Sequence, residues 1–418
     1  MSDIKRIGII GAGLHGISAL RRLSQNENFK IKCFERNFDL GGTWLYTDQI
    51  KEDIYGRPIT SAIYHNLRTV TPGPLMEIDD YPLEKYGLPC FMTHQQVLQY
   101  LNWIVDDCDI RKLIKFNTEV KEVKPVDLSA KDTKWKITYG DIRHKNDLQT
   151  EEFDAVVVCN GNCSVPKYPD IENQEEFEGL LLHSMWYRRP ENFVDLKVAL
   201  LGCRYTGIDL AFELSKFAKK VYLCHNWTKA PTILPDNITE KRSSFKRFTK
   251  SSVILDNDDE LDVDAVIYCT GYKHEFKFLP EGIVKIGKNS DVSNFFKYIF
   301  PAEWRTLFFM GIPRQVSFFK MSDHEALFIR SVLENKAKLP NDEEMQKIIE
   351  YDGANRRITC HNQFDWDKEL AHYAGTFQPY PPVMKKVWDH YFNSWSNDFS
   401  NCKKNTYKVQ GNESFSVE

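Results

Sequence analysis

Three glycines and one acid, Gly11, Gly13, Gly16 and Glu35, stand at spacings that suit phosphate and ribose chemistry. They belong to Gly11-Ala12-Gly13-Leu14-His15-Gly16, which follows the apolar run Ile7-Gly8-Ile9-Ile10 and leads into a helical stretch from Ile17 to Leu23. Glycine at 11 permits a tight turn, at 13 it lets backbone come close to a pyrophosphate, and at 16 it lets helix and strand pack closely. Leu14 and His15 open the helix, whose N-terminus stabilises phosphate charge. Glu35 ends the next strand, Phe29 to Phe34, where an acid can accept hydrogen bonds from both hydroxyls of an adenosine ribose.

Two further segments carry related chemistry. Asp39-Leu40-Gly41-Gly42-Thr43-Trp44 places a glycine pair close behind the ribose acid, so that backbone can approach a pyrophosphate or flavin while Trp44 covers one side. Gly202-Cys203-Arg204-Tyr205-Thr206-Gly207 follows the strand Lys197 to Leu201 and precedes a helix and the strand Lys220 to Leu223. It is an imperfect second copy of the opening unit, with Arg204 at the second glycine position. A side chain there obstructs backbone approach and makes some positive φ angles costly. Alternatively, it sets a guanidinium on the phosphates; obstruction is the preferred reading.

These loops must be held by parallel sheets. Phe153 to Gly161 and Val263 to Tyr272 are continuous apolar runs ending in glycine, as strands buried on both faces read. Thr118 to Val123 and Trp135 to Tyr139 alternate as a small antiparallel element. Helical periods occur at Val97 to Val105 and Val383 to Phe392, another helix is expected around Ala326 to Leu333, and Leu307 to Ile312 is apolar. The segment from about residue 401 is polar and reads as a frayed tail. The expected fold is α/β, with two nested Rossmann-type dinucleotide-binding domains, the second inserted into the first. Expected boundaries are 1–165 and 271–418 for the first domain and 166–270 for the inserted one.

Composition sets the class. The chain has 418 residues, 42% hydrophobic and 27% charged, with a formal net charge of −4. That is an ordinary soluble composition, with no electrostatic reason to expect nucleic acid. No apolar run is long enough for a membrane span, and the opening residues do not read as a signal peptide. Ten cysteines without a CxxC read as free thiols in a reducing compartment, so a cytoplasmic enzyme is expected. No metal site and no catalytic acid–base pair is evident; His65, His94 and His183 read as structural or backbone-capping.

The chain resembles the flavin-containing monooxygenases, particularly the short, soluble, insect-type members, from about Lys5 to about Met345. Glu35-Arg36 followed by Gly41-Gly42-Thr43-Trp44 resembles their FAD motif. Phe177-x-Gly179-x-x-x-His183-Ser184-x-x-Tyr187 is similar to the family's identifying sequence, and Tyr268-Cys269-Thr270-Gly271-Tyr272 to its late threonine-glycine motif. The resemblance implies FAD and NADPH as cofactors, with a small nucleophilic substrate and molecular oxygen as partners. It also implies a C4a-hydroperoxyflavin that passes one oxygen atom to soft nitrogen or sulfur. The first loop, with Thr43 and Trp44, would then hold FAD; Val70 and Thr71 would lie beside the flavin, and Gly202, Arg204, Thr206 and Gly207 would hold NADPH.

Three positions depart from the family pattern. Val70 stands where the family carries an asparagine that hydrogen-bonds cofactor or substrate, Arg204 replaces a glycine, and Cys224-His225-Asn226 lacks a 2′-phosphate arginine. An uncoupled NADPH oxidase releasing peroxide and a non-catalytic FAD-binding protein are therefore the alternatives.

Overall fold

The computed structural model describes residues 4–144, 147–227, 233–287, 291–313, 318–355 and 362–418. Two five-stranded parallel sheets dominate it. In the first, strands run in the order 307–309, 155–158, 5–10, 29–34, 114–115, with Ile10 in register with both Phe34 and Val158. In the second the order is 238–241, 220–224, 197–201, 265–268, 180–183, with Leu201 in register with both Cys224 and Tyr268. The chain leaves the first sheet after Val158, builds the whole second sheet, and returns at Leu307. The nested α/β topology expected from the two glycine motifs is thus the observed one.

Each parallel sheet is buried on both faces, which is why its central strands are apolar without alternation. Seven helices matter to the site: α1 (Leu14–Leu23), α2 (His94–Asp107), α3 (Tyr205–Leu214), α4 (Phe318–Leu333), α5 (Asp342–Asn355), α6 (Gln363–Ala374) and α7 (Pro382–Asn397). Helices α1, α2 and α4 share a core with one face of the first sheet, and α3 packs on the second. The opposite faces carry three-stranded antiparallel sheets, 118–125/135–141/148–153 on the first and 245–248/252–255/260–262 on the second. The duplication therefore extends from the glycine loops to the layering.

Two expectations are corrected. Helix α4 begins at Phe318, not near Ala326, and buries Lys320, Ser322, Asp323, His324 and Glu325. A polar run of that kind reads as a solvated segment, but here each group meets a partner from another element. Asp323 binds Arg21 (2.6 Å) and Arg22 of α1, and Ser322 bonds Ser18 at 2.7 Å. The polar C-terminal segment is also ordered. Residues 407–410 and 414–417 pair as an antiparallel hairpin, Tyr407 is buried, and His390 of α7 bonds its hydroxyl at 3.1 Å.

Candidate functional site

The two glycine loops are nearly superposable in their constraints. Gly11 (φ +100°) and Gly202 (φ +112°) occupy left-handed backbone, and a Cβ on either would stand 2.5 Å from a carbonyl oxygen, that of Cys159 or Cys269. A Cβ on Gly16 would collide with the Gly11 carbonyl, and one on Gly207 with the Gly202 carbonyl. Both helices therefore start pressed against the strand that feeds them. Neither α1 nor α3 has a side-chain N-cap, so no capping side chain occupies their first-turn N–H groups. Such a turn is an anion-binding arrangement. Leu14 is buried in the core beneath this turn, and Thr206 is half-buried in the first turn of α3.

The loops differ at their second position. Gly13 lies back to back with Gly42: a Cβ on Gly42 (φ +57°) would stand 2.9 Å from the Gly13 Cα, and the Gly41 N–H donates to the Ala12 carbonyl at 2.9 Å. Gly13 itself is extended (φ −77°, ψ −170°), and Arg204 repeats that backbone (φ −89°, ψ −168°). The expected positive-φ cost at Arg204 is thus absent, because this position is extended in both copies. The Arg204 side chain is exposed, and among the described residues it forms no ion pair or hydrogen bond.

Glu35 is tied to the loop it serves. Its buried carboxylate accepts the Ala12 N–H at 2.7 Å and the Asn37 N–H at 2.8 Å, leaving further lone pairs for ribose hydroxyls. Burial pushes its carboxyl above the ordinary range, and the two N–H groups oppose that shift. Gly42, Thr43 and Trp44 form a 3₁₀ turn whose Thr43 carbonyl accepts the Ser61 hydroxyl at 2.7 Å. Trp44 borders a cavity of about 500 Å³ shared with Tyr46, His94, Leu98 and Asn102.

Thr69 pairs with Met92 through its backbone N–H (2.8 Å) and its hydroxyl (3.1 Å), which fixes the segment carrying half-buried Val70 and buried Thr71. This segment leads into the turn Gly73–Leu75, which packs against α4 and α7.

His94 and His183 act as backbone partners, as the sequence suggested, whereas the buried Nδ1 of His65 has no hydrogen-bond partner among the described residues. His183 Nδ1 accepts the Met185 N–H at 3.1 Å, its Nε2 lies 3.0 Å from the Gly271 carbonyl oxygen, and burial lowers its pKa to about 4. His94 bonds the His65 carbonyl at 3.1 Å.

Sequence reasoning missed Asn162, Gly311 and Glu325. The Asn162 amide donates to the Gly311 carbonyl at 3.1 Å, and the Gly311 N–H donates to Glu325 at 3.0 Å. The only signal was the acid-rich run at 323–325, which is indistinguishable locally from a solvated turn.

A family model for flavin-binding monooxygenase-like proteins matches residues 4–230 and 226–412. The chain belongs to that family. Among its relatives, a flavin-containing monooxygenase of Arabidopsis thaliana, GS-OX-like 8, is 32% identical, the alignment covering 95% of this chain and 94% of the relative. The crystal structure of Tmm from a Pelagibacter strain superposes with a TM-score of 0.88 at 27% identity, over 99% of this chain and 95% of that one. S-allyl-L-cysteine S-oxygenase from Allium sativum superposes with a TM-score of 0.84 at 27% identity, over 96% and 94%. The protein is accordingly an oxidoreductase and flavoprotein enzyme of the monooxygenase class, with FAD and NADPH as cofactors. Family membership supports an enzyme over the non-catalytic alternative. Among the described residues, no helix is long and apolar enough to cross a membrane.

Proposed function

We propose that this monooxygenase oxygenates soft nitrogen or sulfur atoms of small molecules, with FAD in the first glycine loop and NADPH in the second. The observation that carries the assignment of the two loops is the contact of Gly42 with Gly13; among the described residues, no glycine lies against Arg204 in the same way. Two backbones free of Cβ atoms form a cradle that a larger dinucleotide can enter on both sides. The residues fit FAD: Gly11, Gly13 and Gly16 shape the turn, Leu14 and His15 present N–H groups, and Glu35 faces the ribose. Gly42, Thr43 and Trp44 close the cradle, with Val70 and Thr71 beside it. Gly202, Arg204, Thr206 and Gly207 hold NADPH in the same manner, within an inserted domain spanning about 166–270.

When bound together, the cofactors supply hydride transfer and activation of molecular oxygen. The protein needs no acid–base pair of its own, and His94 and His183 are engaged with backbone groups. Its work is to position the cofactors and to exclude water. The resemblance to Pelagibacter trimethylamine monooxygenases and to an S-oxygenase supports nitrogen and sulfur as the acceptor atoms. Val70 supports a second reading: an aliphatic side chain cannot orient a nicotinamide amide or a polar substrate, so part of the NADPH flux would end in hydrogen peroxide.

The test follows NADPH oxidation, peroxide and oxygenated product in parallel, with a tertiary amine and a thioether. Product from either substrate matching the NADPH consumed supports oxygenation. Peroxide matching NADPH with both substrates supports the oxidase.

A further inference from the structure

Glu325 is fully buried and under-partnered. One carboxyl oxygen, Oε2, accepts the Gly311 N–H at 3.0 Å, while Oε1 has no hydrogen-bond partner. Nε2 of His15 lies 3.8 Å from Oε2, beyond hydrogen-bond reach, and is itself buried without a partner. The His15 ring is fixed in place against Gly311, where a Cβ would stand 2.7 Å from it. His15 belongs to the first turn of α1, so this pair lies directly beneath the N–H groups that would take the pyrophosphate.

Among the described residues, the surroundings offer Glu325 no compensating cation. From α1 it meets His15, from the end of strand 155–158 the Cys159 thiol, and from the 311 loop only backbone. On its own helix, Asp323 is engaged by Arg21 and Arg22, and His324 by Asp367. Lys320 pairs with Asp79. Glu35, the other acid of this loop, is held by the Ala12 and Asn37 N–H groups. Among the described residues, no lysine or arginine pairs with Glu325.

We propose that Glu325 is a positioning residue for the flavin: a neutral carboxylic acid, set against His15, that keeps negative charge away from the anion-binding turn of α1. A buried carboxylate without a cation is the costlier state, and a pyrophosphate above it would raise that cost by like-charge repulsion. Burial acts in the same sense on both partners, raising the Glu325 carboxyl to about 8 and lowering the His15 imidazole to about 4. Loss of the Glu325 proton to solvent leaves a carboxylate beneath the turn, and FAD binding weakens. The proposal rests on FAD occupying the first glycine loop.

The experiment removes FAD and titrates it back, from neutral to alkaline pH, into the native protein and into Glu325→Gln, an isosteric replacement that cannot ionise. Native affinity should fall by about tenfold per pH unit once Glu325 ionises, and Glu325→Gln should show no such fall. An infrared difference between the two flavin-free proteins at neutral pH should contain a carboxylic-acid C=O band belonging to the native protein. Identical pH profiles for FAD binding, or absence of that band, overturns the proposal. Failure of the native protein to bind FAD at any pH instead overturns the placement of FAD, and the proposal with it.

Discussion

Gly16→Ala and Gly207→Ala deliver the same steric insult to the two glycine loops, so their different consequences test which cofactor each loop serves. In both, the added Cβ would fall more than an ångström inside the 3.0 Å limit for real Cβ contacts, against the Gly11 or Gly202 carbonyl oxygen. The obstacle is backbone, so relief requires the helix to retreat from its strand by about 1 Å. Helix α1 cannot retreat freely, because Asp323 and Ser322 of α4 hold Arg21, Arg22 and Ser18.

Helix α3 is anchored in a comparable way. Asp209 bonds Tyr64 and Lys403 (2.8 Å), and Glu213 bonds Asn66 (2.8 Å) and Tyr187 (3.0 Å). Overpacking against a fixed backbone costs about 1–3 kcal/mol, and both variants should lose stability near the upper end of that range in urea unfolding. Gly16→Ala should purify without flavin. Gly207→Ala should keep stoichiometric FAD, be reduced normally by dithionite, and require at least about tenfold more NADPH for the same anaerobic reduction rate, the equivalent of about 1.4 kcal/mol of lost binding. Loss of FAD from Gly207→Ala with retention in Gly16→Ala would refute the assignment of the two loops.

Three further outcomes follow from particular residues. Arg204 is unstrained, exposed and uncommitted among the described residues, so the structure favours a phosphate clamp over obstruction; Arg204→Gly should weaken NADPH by about tenfold in anaerobic reduction kinetics, and tighter binding would restore the obstruction reading. Val70→Asn adds a hydrogen-bonding amide worth about 1 kcal/mol and should raise the ratio of product to NADPH consumed by about fivefold; a native protein already fully coupled would show that Val70 is accommodated. The Glu325 carboxyl lies at about 8 when folded against 4.5 when unfolded, so folding near neutrality must take up a proton. That cost is absent below the unfolded value, grows as pH rises and is complete above the folded one. The stability advantage of flavin-free Glu325→Gln over native should therefore rise with pH by at most about 1.4 kcal/mol per unit within that window, and a pH-independent difference in chemical denaturation would contradict it.

Sequence alone determined the features that local backbone chemistry specifies. The turn at Gly11, the close packing at Gly16 and the acid at the end of the next strand follow from residues within about thirty positions of one another, and the repeat at 202–207 shows the same local pattern again. The parallel sheets were legible for a related reason: strands buried on both faces must be apolar throughout.

Only the tertiary structure decided what depends on a distant partner. Gly13 and Arg204 share one extended backbone, and what separates them, among the described residues, is the Gly41-Gly42 turn that lies against Gly13. The C-terminal segment is polar in composition yet ordered, because Tyr407 finds α7 and the hairpin satisfies its own backbone. The polar run from Lys320 to Glu325 is buried because Asp79, Ser18, Arg21, Arg22, Asp367 and Gly311 reach it from elsewhere in the chain. A charged side chain in sequence carries no record of whether its counter-charge will be water or a residue three hundred positions away, and that pairing decides whether it is surface or core.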